Sequence, residues 1–140
     1  YWNNPEETKA ALRDGWYHTG DVATRDADGY YWIVDRKKDM IISGSENIYP
    51  AELEAVLAEC PDIHESAVVA RPDEKWGEVA VAVVVPNKGS TIDARKVLAL
   101  FEDVLARYKH PRDVVFVEAL PRNVMGKILK YELRKQIRSV

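Results

Sequence analysis

An α+β fold is what this 140-residue sequence predicts, and three features carry the expectation. The run "EVAVAVVV" (78 to 85) is apolar on both faces, as a strand covered on both sides must be. Apolar residues recur at helical spacing in three places: after Pro50, from about 92 to 107, and from Ile128 onward. Between them, strand-like and helix-like segments alternate irregularly and not in a strict βαβ order. The expected architecture is a small antiparallel or mixed sheet packed with helices and preceded by a β-hairpin.

Taken in order, residues 5 to 12 read as a short helix, with Pro5 suited to its first turn and Glu6 and Glu7 favourable near its start. Residues 15 to 36 read as the hairpin, because "DADG" (26 to 29) is a turn sequence and "YYWIV" (30 to 34) is rich in β-formers. The charged run "DRKKD" (35 to 39) is a candidate linker. "MIISGSENIYP" (40 to 50) reads as a short strand and a polar loop. Pro50 then opens a helix with Leu53, Val56 and Leu57 on one face, ending before Pro61. "ESAVVA" (65 to 70) and 78 to 85 are strands, the second central. The helix from 92 to 107 carries Val97, Leu98, Phe101 and Leu105, and "DVVFV" (113 to 117) is another strand. Last, Pro121, Asn123 and Gly126 form a turn, and a helix from Ile128 aligns Leu129, Leu133, Ile137 and Val140 against Lys130, Arg134, Lys135 and Arg138.

Composition narrows the function classes. Apolar residues make up 46% and charged residues 31%, a globular balance. A net charge of -3 implies no general affinity for nucleic acid. Cys60 is the single cysteine and cannot form an internal disulfide, which suits a reducing compartment. No apolar run approaches the ~20 residues that span a bilayer, and no signal peptide is visible. The expected location is the cytoplasm, with peripheral membrane association of a longer protein left open. The chain opens mid-pattern at Tyr1 without an initiator methionine, as a piece of a longer protein would. Three histidines and one cysteine show no metal-ligand spacing, so no metal site is expected.

Five stretches could carry chemistry. In "YHTGD" (17 to 21), Asp21 follows Gly20 and fits either an Asx-type turn or an acceptor for vicinal hydroxyls. His18 has no nucleophile to serve and reads as structural or exposed, and His64 has no obvious partner. In "DRKKDMIISGSENIYPAELE" (35 to 54), Arg36 offers a rigid donor fork, and Gly44 permits close backbone approach to a ligand. A solvated linker explains the same charges. Trp76 in "PDEKWGE" (72 to 78) either caps the core or lines a site. In "RYKHPR" (107 to 112), Arg107, Lys109, His110 and Arg112 could hold phosphates or form a solvated face. In "PRNVMGKILK" (121 to 130), Lys127 stands at the mouth of the expected helix, where a cation opposes the helix dipole. Helix stability does not explain it. It is either a solvated surface lysine or a cation placed for an anion.

In this order and spacing, the five stretches resemble the C-terminal part of the adenylate-forming acyl-CoA synthetases, over essentially the whole chain. The resemblance implies a parent that converts a carboxylic acid, ATP and CoA to acyl-CoA, AMP and pyrophosphate, with Mg2+ held mainly by its large N-terminal domain. It implies that Asp21 and Arg36 contact the ATP ribose. It makes Lys38 the hinge, so that residues 1 to 37 end the large domain and 38 to 140 form a mobile C-terminal domain. Lys127 would reach the acyl carboxylate and the α-phosphate during adenylation. After rotation about the hinge, Gly44 and Trp76 would line a pantetheine tunnel, and Tyr108, His110 and Arg112 would meet the CoA nucleotide. Ser45 departs from the second glycine that many relatives have there. No Gly/Ser/Thr-rich phosphate loop and no acyl pocket are present, so the 140 residues alone are expected to be inactive. Two superfamily alternatives stay open, a domain that loads a carrier-protein thiol and a luciferase-like oxidase. A third is a non-catalytic module of the same fold.

Overall fold

The protein is described by a computed structural model covering residues 1–139. The chain divides into two compact units, Tyr1–Lys38 and a second that begins at Asp39.

The first unit opens with helix α1, Pro5–Ala11, whose Glu7 N–H donates to the Asn4 side chain at 3.2 Å. Strands β1 (Leu12–Arg13) and β2 (Trp16–Tyr17) pair around Asp14 and Gly15, both at positive φ. Strands β3 (Asp21–Arg25) and β4 (Tyr31–Arg36) pair antiparallel. The Asp26 carboxylate closes their turn by accepting from Tyr30 N–H and Trp32 Nε1, both at 2.9 Å. The Trp32 bond above all holds that carboxyl below its usual pKa. The hairpin expected over 15–36 is therefore two. Asp14–Gly15 is a turn in its own right, and Gly20, at φ 77, interrupts the extended chain between β2 and β3.

The second unit is a mixed five-stranded sheet with helices on both faces. Its strands are β5 (Ile41–Ser43), β6 (Glu46–Ile48), β7 (Ile63–Asp73), β8 (Gly77–Pro86) and β9 (Asp113–Phe116). The order is β6-β5-β8-β7, with β9 pairing β8 in parallel at Val81–Val84. A parallel pair needs a crossover. Residues 87–112 supply it, including helix α3 (Ala94–Ala99). The strand expected to be central is central. Ala80, Ala82 and Val84 of β8 join one core with Phe101, Val97 of α3, and Leu53 and Leu57 of helix α2 (Pro50–Ala58). Val81, Val83 and Val85 join a second core with Leu133 of helix α4 (Lys130–Gln136) and Ile137.

Three expectations need correction. The loop after β5 is a two-residue turn, Gly44–Ser45, into the unforeseen strand β6. The helix expected over 92–107 stops at Ala99. Beyond it the backbone bonds shorten to three-residue spacing, Leu100 N–H to Val97 O and Phe101 N–H to Leu98 O, and Asp103 at φ 61 ends the coil. Phe101 still reaches the core from this tightened turn, which is why the periodicity looked longer than the helix. The last helix begins at Lys130 and not at Ile128, because Ile128 forms an antiparallel bridge with Arg122. Val140, the last residue of that periodicity, lies outside the described residues.

Candidate functional site

In the first unit, β3 and β4 bring Asp21 and Arg36 directly opposite each other. Arg36 Nε lies 2.9 Å from Asp21 Oδ1, and Arg36 Nη1 donates to the Thr19 carbonyl at 3.3 Å. Gly20 makes the corner that lets its carbonyl accept from Lys37 N–H at 2.8 Å. The guanidinium thus fixes one carboxylate oxygen and leaves the other available to hydroxyls. An open cleft of about 580 Å³ passes His18, Thr19, Gly20, Asp21 and Lys37.

In the second unit, Gly44, Trp76 and Arg112 come together from three parts of the sequence. The Asp73 carboxylate accepts from the N–H groups of Lys75 and Trp76, each at 2.9 Å, and so shapes the turn between β7 and β8. Gly44 N–H donates to the Trp76 carbonyl at 2.8 Å. Gly44 has φ +55, and a Cβ there would lie 2.5 Å from Trp76 Cε3. Glycine is required on both counts. The Arg112 guanidinium carbon stands 5.5 Å from the centre of the indole and Lys75 Nζ stands 4.9 Å from it, both in cation–π range. The result is a partly exposed aromatic platform edged by cations and by glycine backbone.

The basic loop 107–112 divides on inspection. Lys109 Nζ donates to both oxygens of Glu52, at 2.6 and 2.8 Å, and this bond raises its pKa. It is a structural tie between α2 and the short 3-10 helix Arg107–Lys109. His110 Nε2 lies 2.8 Å from the Leu105 carbonyl. A carbonyl only accepts, so Nε2 carries a proton and Nδ1 faces any other partner. Tyr108 is exposed and Arg112 keeps its guanidinium on Trp76.

Lys127 lies outside the helix. Its turn is closed by Gly126 at φ 81, by the Arg122–Ile128 bridge, and by Asn123, whose side-chain oxygen accepts from Met125 N–H at 3.0 Å and Lys127 N–H at 2.9 Å. The helix-dipole argument therefore belongs to Lys130, the first residue of α4, which is paired with Glu54 at 2.6 Å. Arg134 pairs with Asp39 at 2.6 Å. Lys127 is exposed and makes no ion pair among the described residues, while the flanking Arg122, Lys130 and Arg134 each have a carboxylate. The sequence marked Asn123 and Gly126 as turn formers. It held no signal for the partners Glu52, Glu54 and Glu65, which arrive from tens of residues away.

Among the described residues no group of three or more His, Cys, Asp or Glu side chains is arranged to hold a metal ion. No helix is long and apolar enough to cross a membrane.

Comparison with known proteins decides the family. The model of the AMP-binding enzyme C-terminal domain matches residues 52–127, more than half of the chain. The chain belongs to this family. The adenylate-forming kinship extends beyond the matched span. The chain is similar to the indoleacetate–CoA ligase of Aromatoleum aromaticum, 56% identical over 137 residues, covering 98% of this chain and 27% of that protein. It is also similar to a long-chain-fatty-acid–CoA ligase of Mycobacterium tuberculosis, 51% identical over 136 residues, covering 97% of this chain and 27% of that protein. Among solved structures, ATP-bound MatB from Rhodopseudomonas palustris superposes with a TM-score of 0.89 at 44% identity, covering 99% of this chain and 28% of that one. The chain thus spans about a quarter of the length of the relatives it matches.

Proposed function

We propose that this chain is the C-terminal part of an AMP-forming acid–thiol ligase that joins a carboxylic acid to CoA in the cytoplasm. The observation that carries the reading is Lys127: an exposed ammonium without an ion-pair partner among the described residues, on a turn fixed by Asn123 and Arg122. It stands in a chain about half identical to named CoA ligases. In the first half-reaction a carboxylate oxygen attacks the α-phosphorus of ATP and pyrophosphate leaves. Two anions must meet, and charge builds on the phosphoryl oxygens. A cation between them opposes the repulsion and stabilises that charge. Its loss costs about 3 kcal/mol, or roughly a hundredfold in rate. Asp21 and Arg36 hold the ribose hydroxyls, as their cross-strand pairing supports.

In the second half-reaction the thiol sulfur of CoA attacks the acyl carbon, AMP leaves, and the thiol proton goes to solvent. Lys38 acts as the hinge that exchanges the two faces of the C-terminal domain, 38 to 140. Residues 1 to 37 end the large domain. Gly44 and Trp76 line the pantetheine path, with Tyr108 and Arg112 toward the nucleotide. His110 contributes there through Nδ1, the ring nitrogen that the Leu105 carbonyl does not occupy. ATP, Mg2+ and the acid are bound mainly by the part of the protein outside this chain, and an aromatic or fatty acid is the substrate class.

The test uses the whole protein: AMP release over a panel of carboxylic acids, with and without CoA. CoA-dependent release with one acid class is expected. Acid-dependent pyrophosphate exchange without CoA-dependent AMP release would move the acceptor to a carrier-protein thiol. No exchange with any acid would make this a non-catalytic module. Lys38→Pro should spare pyrophosphate exchange and slow thioester formation, because proline removes the freedom of φ.

A further inference from the structure

The turn that presents Lys127 has little packing of its own. Val124 and Met125 at its apex are 103% and 86% exposed, and Asn123 to Lys127 are all exposed. Apolar burial therefore does not hold it in place. Polar ties do, and they come from two distant carboxylates. On one arm, Arg122 Nη1 donates to the Gly126 carbonyl at 2.6 Å, and Arg122 Nη2 donates to Glu65 Oε1 on β7 at 2.5 Å. One guanidinium thus locks the peptide just before Lys127 to the sheet. On the other arm, Lys130 Nζ lies 2.6 Å from Glu54 Oε1 of α2, and the same oxygen accepts from Val68 N–H of β7 at 2.7 Å. β7 is the sheet's edge strand, so Glu54 covers an outward N–H of that edge as it grips the first residue of α4.

We infer that Glu65, through Arg122, and Glu54, through Lys130, are positioning residues for Lys127. They hold the two arms of its turn to the rigid sheet, so that the ammonium meets the reacting carboxylate and phosphate at one place. Neither carboxylate touches a reactant. The inference rests on the proposed adenylation role of Lys127. Displacement of a reacting group by about 1 Å can lower a rate by roughly a hundredfold. The Glu54–Lys130 tie is half-buried, the Glu65–Arg122 tie is more exposed, and each is one of several, so a smaller loss follows from cutting one.

The test is made in the whole protein with Glu65→Gln, Glu54→Gln, the double variant, and Lys127→Ala as reference. Glutamine keeps an acceptor for Val68 N–H at position 54 and removes only the charge. Each single variant should lower the rate of acid-dependent pyrophosphate exchange about tenfold, and the double variant about a hundredfold. KM for ATP and thioester formation from supplied acyl-adenylate should stay unchanged. Exchange at the parental rate in the double variant, with Lys127→Ala crippled, would overturn the positioning role alone. An equal fall in both half-reactions would also overturn it, since that reports a merely structural tie. Normal exchange by Lys127→Ala would overturn the adenylation reading together with this one.

Discussion

Residues 1–38 and the residues from Asp39 onward are held together in different ways. In the first unit no residue is buried, and Trp2, Trp16, Tyr31, Trp32 and Ile33 are largely exposed. Its order comes from turns and cross-strand bonds: Asp26 closing β3–β4, and Arg36 on Asp21. Such exposed bonds compete with water and are individually weak, and an isolated hairpin is marginal in water. The second unit buries β8 on both faces and closes two apolar clusters around it. The contrast teaches where each candidate site gets its precision. Gly44, Trp76 and the Lys127 turn stand on a packed sheet. Asp21 and Arg36 stand on a hairpin whose apolar side chains await cover, which the rest of a longer protein would supply under the proposed function.

The sharpest way to break that contrast is to cut side chains in each unit. Phe101→Ala should lower the stability of the 140-residue chain by about 3–5 kcal/mol in urea unfolding, since it empties a fully buried site. Trp32→Ala should change the same transition by about 1 kcal/mol or less. Comparable losses would show that the first unit shares the core's cooperativity. Glycines give a second comparison. Gly44→Ala meets both a positive φ and the Trp76 ring, and should cost about 3 kcal/mol and perturb the tryptophan fluorescence. Gly20→Ala has the same backbone strain, with nothing within 4 Å of its Cβ, and should cost about 1 kcal/mol.

Acid should act on both units through different donors. The Asp113 carboxyl is held below its usual pKa by Arg71, and the Asp26 carboxyl by the Trp32 indole. Both are depressed in the folded state. The stability they contribute is therefore present above the unfolded carboxylate value of about 3.9 and is lost as pH falls through the folded values. Arg71→Met should return the Asp113 titration to the ordinary range by NMR and leave Asp26 alone. Trp32→Phe should do the converse. A joint shift would mean that the two units are electrostatically coupled. The smallest effect belongs to Ser45, a non-glycine residue at φ 75 in a two-residue hairpin turn. Ser45→Gly should raise the urea midpoint by the equivalent of about 0.5 kcal/mol, and an unchanged or lower midpoint would show the turn to be unstrained.

Much of this was written locally. Apolar periodicity alone located β8 and its centrality, because a strand covered on two faces cannot alternate with polar residues. "DADG" announced the β3–β4 turn, and the order of the five stretches pointed to the adenylate-forming family before any coordinates. Boundaries were less legible where a local feature competed with the period. Asp103 at positive φ stopped a helix whose apolar spacing continued, and the Arg122–Ile128 bridge withheld two residues from α4. Only the tertiary structure decided which charges are used up. The sequence singles out Lys127 by its place in a motif, but it does not say which of Lys109, Arg122, Lys127, Lys130 and Arg134 find a carboxylate. Folding gives Glu52 to Lys109, Glu65 to Arg122, Glu54 to Lys130 and Asp39 to Arg134, and among the described residues it gives Lys127 no carboxylate. Ion pairing depends on distance in space, and those partners lie 57 to 95 residues apart along the chain. No local pattern in a chain can encode which of its cations the fold will leave unpaired.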